Sequence, residues 1–274
     1  MIINCKYFYL VRLFIKLKNK SIKKLILLVF AITIISCKDQ PKKEVKQNKN
    51  IEKQEVFPEE LGKVFNSHGG LNVWRKTKVL SFNKGEEAHT VDLQTRKTVI
   101  NSPNYSLGFD GNEVWLDEEK KGDYKGNPEF YYNLYFYFYA MPFVLADDGI
   151  IYEKSNSITF KGVEYPGIKI SYKYNIGTSS DDNYIVYFNP KTYQMKWLAY
   201  TVTFTSKKPN DRYNIIRYNS WENVNGLILP KEITWYKKDD NGNPTETARA
   251  PTKFTLPLVS EAKLADSFFQ KPVK

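Results

Sequence analysis

The sequence predicts a mainly β protein with a few helices, built as one curved antiparallel sheet whose concave face the helices cover. Three observations point there. Between residues 77 and 256, short apolar or alternating runs follow one another with turn residues between them, at the spacing of an antiparallel meander. Two of those turns, Asp110-Gly111-Asn112 and Asn225-Gly226, carry hairpin signatures, the second that of a type I′ turn. The main interruption, residues 127–149 (NPEFYYNLYFYFYAMPFVLADDG), is aromatic or aliphatic at nearly every position from 130 to 145. A helix made of it has no polar stripe to present to water and must be covered on most sides. Its run is also too short to cross a bilayer.

The first 56 residues stand outside this domain. Seven Lys and Arg and no acid fall between residues 6 and 24, and residues 25–35 (LILLVFAITII) form an apolar run of signal-peptide length. The run closes on Ile34-Ile35-Ser36-Cys37, which resembles the lipobox of bacterial lipoproteins. That resemblance implies that residues 1–36 are a signal peptide, that Cys37 is acylated, and that the chain is held to a membrane there. Several acyl chains on one residue anchor firmly where a single chain is marginal. Residues 37–56, rich in Lys, Gln, Asn and Glu, read as a disordered tether. Lys38-Asp39 looks like the export signal of Bacteroidota surface lipoproteins, or is ordinary spacer composition. With Cys37 acylated, the mature chain keeps no cysteine for a disulfide or a CxxC site. The net charge of +11 belongs mostly to this region: residues 1–56 hold 13 Lys and Arg against 4 Asp and Glu, the remainder 28 against 26. The domain is therefore nearly neutral and lacks the basic footprint of a nucleic-acid binder.

Residues 57–274 read as a single β domain. It opens with a helix that Pro58 starts, that carries Leu61, Val64 and Phe65 on one face, and that Gly69-Gly70 ends. Strands are expected at 77–82, at 89–100 as one long run, at 105–109 and at 113–117. In the aromatic stretch Asn127 is the candidate N-cap, Pro128 suits the first helical position, Glu129 suits the positive end of the dipole, and Pro142 kinks the helix or starts a second turn. Further strands are expected at 150–153, 157–160, 167–174, 183–189, 195–205, 213–224, 229–237 and 250–256, with a closing helix at 261–269.

Several short motifs then occur in a familiar order. Tyr187-Phe188-Asn189-Pro190-Lys191-Thr192-Tyr193-Gln194-Met195 resembles the strand, Asx-Pro-Lys-Thr turn and strand of the LolA and LolB lipoprotein-carrier superfamily. Residues 225–231 (NGLILPK) resemble the "Gly, apolar, Pro" element of one of its later strands. His68-Gly69-Gly70 with Trp74, and residues 140–147 (AMPFVLAD), are similar to an uncharacterised family of Bacteroidota lipoproteins related to those carriers. The resemblance implies an incomplete β-barrel, LolA/LolB-like, with helices closing its concave side over an apolar hollow that accepts acyl chains. Acylation at Cys37 makes a soluble shuttle between membranes a poor reading.

Catalytic chemistry finds little support. His68, beside the glycine pair, reads as a helix cap and His89 as a surface strand residue; neither belongs to an HExxH or paired-His spacing, and there is no GxSxG, P-loop or GxGxxG. Asp147-Asp148, Asp181-Asp182, Glu86-Glu87 and Glu118-Glu119 read as turn or solvated acids. No enzyme, metal or cofactor is expected. The strand tryptophans admit two readings, a sugar-stacking platform or filling of one inner face, and the alternation of Trp197 with Ala199 and of Trp235 with Ile233 suits one inward face.

The aromatic stretch likewise reads either as a core helix or as a lid over a greasy cavity, since tyrosines pair an apolar body with a polar tip. The expectation is a membrane-anchored, non-catalytic lipoprotein of the outer membrane, on its periplasmic or surface side. Its pocket for a lipid or other amphiphile is expected to be lined by Trp115, Tyr131, Tyr135, Phe136, Tyr139, Phe143, Trp197 and Trp235. The alternative is a cell-envelope interaction or surface glycan-binding module in which those aromatics are only core.

Overall fold

The structure is a computed structural model, and it describes residues 57–173 and 181–273. The leader, the tether, Cys37, Lys38, Asp39 and Tyr174 lie outside the described residues. Val56–Lys274 forms one compact unit, and every buried core residue described lies within it.

Two short helices open the domain, α1 (Glu59–Ser67) and α2 (Leu71–Lys76). Five strands follow as a meander: β1 (Val79–Lys84), β2 (Glu87–Asp92), β3 (Thr98–Ser102), β4 (Tyr105–Phe109) and β5 (Val114–Glu118). The aromatic segment comes next, as α3 (Pro128–Tyr131), α4 (Leu134–Tyr139) and a 3-10 turn at Phe143–Ala146. A second meander runs through β6 (Ile150–Phe160), β7 (Val163–Tyr172), β8 (Tyr184–Phe188), β9 (Met195–Tyr200), β10 (Asn214–Val224) and β11 (Leu227–Lys238). The chain ends with β12 (Pro244–Thr247), β13 (Thr252–Ser260) and a 3-10 turn at Asp266–Phe269.

All strand pairs are antiparallel, and the order across the sheet is β5-β4-β3-β2-β1-β13-β11-β10-β9-β8-β7-β6, with β12 beside β11. The last strand is thus inserted between the two meanders and joins them into one open, curved, mainly β sheet of the expected class. This order dictates where the aromatic segment lies. It connects β5 to β6, which are the opposite ends of the sheet, so it has to cross the whole concave face.

Its residues are apolar because that is what they cross. Phe136, Phe138, Tyr139, Phe143, Val144 and Leu145 pack with Leu80 and Phe82 of β1, Ile170 of β7, Val186 of β8, Leu198 of β9, Ile216 and Tyr218 of β10, Ile233 of β11 and Phe254 of β13. Burying each such side chain contributes roughly 1.5–3 kcal/mol.

The expected helix start holds, with Asn127 Oδ1 accepting the Phe130 amide at 3.3 Å behind Pro128 at the first helical position. A single kinked helix does not form, and a separate 3-10 turn starts at Phe143 just after Pro142, the second of the two readings of that proline. The segment breaks at Tyr132–Asn133 as well as at the cis Met141–Pro142 peptide.

Other boundaries move for local reasons. Residues 89–100 are two strands, because Asp92 Oδ1 accepts the amides of Gln94 (2.9 Å) and Thr95 (2.8 Å) and folds a tight turn that the Thr-Arg-Lys sequence does not advertise. Residues 150–160 form one strand with an irregularity between Ser155 and Ile158. The 195–205 strand stops at Tyr200, α2 and β12 were not anticipated, and the closing helix shrinks to one 3-10 turn.

The docking of α1 leaves no room for a side chain at Gly69. Its φ is +104°, and a Cβ there would run into the Gly226 carbonyl of the β10–β11 turn. That turn has both central residues at positive φ (Asn225 50°, Gly226 93°), as its sequence predicts. His68, at the end of α1, is completely buried and not a simple cap. Its backbone C=O accepts the Ile228 amide (2.9 Å), its Nδ1 lies 3.1 Å from the Ile228 carbonyl, and its Nε2 accepts the Met195 amide (3.1 Å). An amide donor on Nε2 puts the ring proton on Nδ1.

Candidate functional site

The aromatic segment is fastened at both ends by polar groups. At its start the Tyr131 hydroxyl meets the Glu87 carboxylate at 3.0 Å and 2.7 Å, and Tyr105 donates to the same carboxylate. Lys84 Nζ stands 2.7 Å from Glu87 Oε2 and 4.5 Å from the Tyr135 ring centre. His89 Nε2 completes the group at 3.3 Å. Burial alone would raise the Glu87 carboxyl, but hydrogen bonds from His89, Lys84, Tyr105 and Tyr131 outweigh it and hold the group well below the usual carboxylate range. Glu87 is therefore not a solvated turn acid. Nor is His89 a surface residue: it is 1% exposed and stacked on Phe82 at 4.8 Å, and burial depresses its pKa.

At its end Arg96 Nη2 lies 2.7 Å from both oxygens of Asp147. The Asp92 turn places Arg96 at φ +62° and aims it back over the sheet, where its guanidinium also covers the Phe136 ring at 5.1 Å. Burial raises the Asp147 carboxyl and the arginine lowers it, with burial the larger effect. A cavity of about 230 Å³ opens beside the pair, between Trp74, Thr77, Gln94 and Phe143.

A second, more apolar cleft lies on the flank of the aromatic segment. Its walls are Phe130 of α3, Leu134, Tyr137 and Phe138 of α4, Tyr172 of β7, Tyr184 of β8, Tyr200 of β9, and Thr201, Val202 and Phe204 beyond it. Glu129, Asn133 and Asp182 supply its carboxylates and amide. Asp182 is held from below, its Oδ1 accepting the amide (2.7 Å) and hydroxyl (2.8 Å) of Thr203. Burial raises this carboxyl and also raises the phenols of Tyr137, Tyr172 and Tyr184. The cleft measures about 90 Å³, against roughly 300 Å³ or more for ordinary small-molecule sites.

The eight aromatics expected to line one hollow divide between two faces. Tyr131, Tyr135, Phe136, Tyr139, Phe143 and Trp235 lie on the concave, helix-covered side. Tyr139 is stacked on Phe82 at 4.1 Å, Phe143 on Trp74 at 4.9 Å, and Trp235 Nε1 donates to the Tyr200 hydroxyl at 2.8 Å.

Trp197 faces the other way. It pairs with Arg217, while Trp235 pairs with the neighbouring Ile216, and successive residues of a strand point to opposite faces. Trp197 and Ala199 belong to a separate core with Phe160, Tyr165, Tyr187 and Ile215. Trp115 is also turned away, packed with Val99 and donating to the Phe269 carbonyl at 2.9 Å, because its strand neighbour Leu116 and the paired Leu107 take the helix side. The expectation of one inward face is corrected on both points.

None of the eight lines the smaller cleft, and Phe143 alone lines the larger cavity. Tyr172, Tyr184 and Phe204 converge from separate parts of the chain and carry no local signal, and Asp182, expected as a solvated turn acid, is instead nearly buried and bonded to Thr203. The aromatic run did signal Tyr137.

Among the described residues no group of three or more His, Cys, Asp or Glu could hold a metal, and no helix is long and apolar enough to cross a membrane.

The fold has distant counterparts among solved structures. They include a LolA superfamily protein from Nitrosomonas europaea (8% identity, TM-score 0.36, 70% of this chain and 87% of that one). A DUF1329 family protein from Desulfovibrio piger matches at 10% identity and TM-score 0.37, over 71% and 88% of the two chains. An outer membrane lipoprotein-sorting protein domain from Vibrio parahaemolyticus matches at 8% and 0.32, over 69% and 79%. Likenesses this distant carry no function across. No curated protein matches the chain. Its family model covers residues 25–243, and the chain belongs to that family, the family of unknown function DUF6503.

Proposed function

We propose that this domain is a non-catalytic binding module that takes an amphiphile into the flank cleft, with the aromatic segment as its movable wall. One observation carries the reading. Phe130, Leu134, Tyr137 and Phe138 belong at once to the segment that covers the concave core and to the wall of a cleft open to water. An apolar tail entering there meets rings on both sides, and each buried methylene contributes about 0.8 kcal/mol. At about 90 Å³ the cleft takes a head group or the first few carbons; a longer chain has to displace the segment. Three short helical pieces suit such movement better than one continuous helix, since each break is a place where backbone angles change without losing helical hydrogen bonds.

In the same proposal, acylated Cys37 anchors the protein to the outer membrane, on its periplasmic or surface side, and residues 37–56 tether the domain. The support is the order of basic stretch, apolar run, small residue and cysteine.

Native mass spectrometry of Val56–Lys274, purified from a bacterial periplasm without detergent and followed by solvent extraction, tests the binding. Co-purified amphiphile that is lost on Leu134→Arg, with the fold intact by circular dichroism, is the expected result. A clean mass with no uptake of added amphiphile overturns the reading and leaves an interaction module whose aromatics are core.

A further inference from the structure

We infer that the flank cleft selects an ammonium group, so that its ligand is a cationic or ammonium-headed molecule. The inference rests on the amphiphile reading of the same cleft and names the head group. Three features of the lining point the same way. The first is ring geometry: Tyr172 and Tyr184 meet edge to face at 6.1 Å and 84°, and Phe130 and Phe204 stand 5.2 Å apart across the rim. With Tyr137, Phe138 and Tyr200 they make seven aromatic residues around one small volume, and an ammonium ion is attracted wherever such a ring turns its face to it.

The second is charge. Among the described residues, Asp182 and Glu129 line the cleft and no Lys, Arg or His does. Asp182 is only 9% exposed, and both of its hydrogen bonds go to Oδ1. Its Oδ2 is left without a hydrogen-bond partner among the described residues. That oxygen is left to a donor from outside, an N–H or a positive charge.

The third is that the chain's own cation already uses the rim. Lys207 Nζ stands 4.2 Å over the Phe204 ring from an exposed position outside the lining. Arg249 is committed to the Trp235 face at 3.4 Å. A carboxylate or phosphate head would meet Asp182 and Glu129, and the described lining carries no cation to offset them.

Calorimetric titration of Val56–Lys274 with four probes tests this: dodecylamine, dodecyltrimethylammonium and dodecanoate, each below its micelle concentration, and tetramethylammonium. The expected result is that the two cationic dodecyl probes bind at least about tenfold more tightly than dodecanoate. Asp182→Asn, which keeps an oxygen for both Thr203 bonds, removes most of that preference. Phe130→Leu, a rim substitution, lowers it if the Asp182 variant fails to fold.

Equal binding of the three dodecyl probes overturns the ammonium inference and leaves the amphiphile reading standing. Tetramethylammonium binding without any dodecyl binding supports the ammonium site and overturns the amphiphile reading, pointing to a free amine as ligand. Cationic dodecyl binding without tetramethylammonium binding points to a lipid head group. Binding of none overturns both.

Discussion

The Tyr131 hydroxyl lies 2.7 Å from Oε2 of Glu87, and this contact ties the start of the aromatic segment to strand β2 across 44 residues of chain. The carboxylate it reaches also receives Lys84, Tyr105 and His89. Glu87→Gln should therefore cost more than one hydrogen bond, about 2–3 kcal/mol, because charge-assisted bonds are lost and their donors stay half-buried. Tyr131→Phe, which removes one donor and keeps the ring, should cost about 1 kcal/mol. Urea unfolding of both variants checks this. Equal small effects would mean that the cluster is solvated and does not fasten the segment.

Arg96 fastens the other end through Asp147. Arg96→Met should destabilise by only about 1 kcal/mol at pH 7, since both side chains are about one third exposed and solvent screens the pair. The deficit should shrink toward pH 4. Burial raises the Asp147 carboxyl, and without the arginine it protonates more readily still, which removes the unpaired charge. Melting temperatures of wild type and variant at the two pH values decide it. A deficit independent of pH would assign the loss to packing of the guanidinium on Phe136.

His68 should make the fold acid-sensitive. Burial lowers its pKa from 6.5 to about 4, a change only partly offset by its bond to the Ile228 carbonyl. The unfolded chain therefore binds a proton that the folded one resists, and this contribution is fully present above pH 6.5 and lost as pH falls to about 4. The loss amounts to roughly 3 kcal/mol. Urea midpoints across that window should fall with pH in the wild type and be flatter in His68→Gln. The same slope in both would place the acid sensitivity elsewhere.

Local chemistry was readable from the chain because each signal is complete within a few residues. The Asn225-Gly226 turn, the Asn127-Pro128 helix start and the Tyr105–Phe109 strand all needed nothing distant. The Asp92 turn escaped because its cap is an ordinary aspartate followed by Leu-Gln-Thr-Arg, with no glycine to mark it. His89 and Glu87 escaped for a different reason: β2 begins at Glu87, ahead of the expected strand, and alternation puts the two residues on one face without saying what covers it.

By itself the sequence determined a mainly β meander with an aromatic segment that water cannot cover, because periodicity and composition fix which side chains have to be buried. Only the tertiary structure decided what buries them. Strand order put β5 and β6 at opposite ends of one sheet and so drew the segment across the concave face, and strand register turned Trp115 and Trp197 away from it. The cleft with Asp182, Tyr172 and Tyr184 exists only where those strands converge on α4, and contacts between residues so far apart in the chain leave no local pattern.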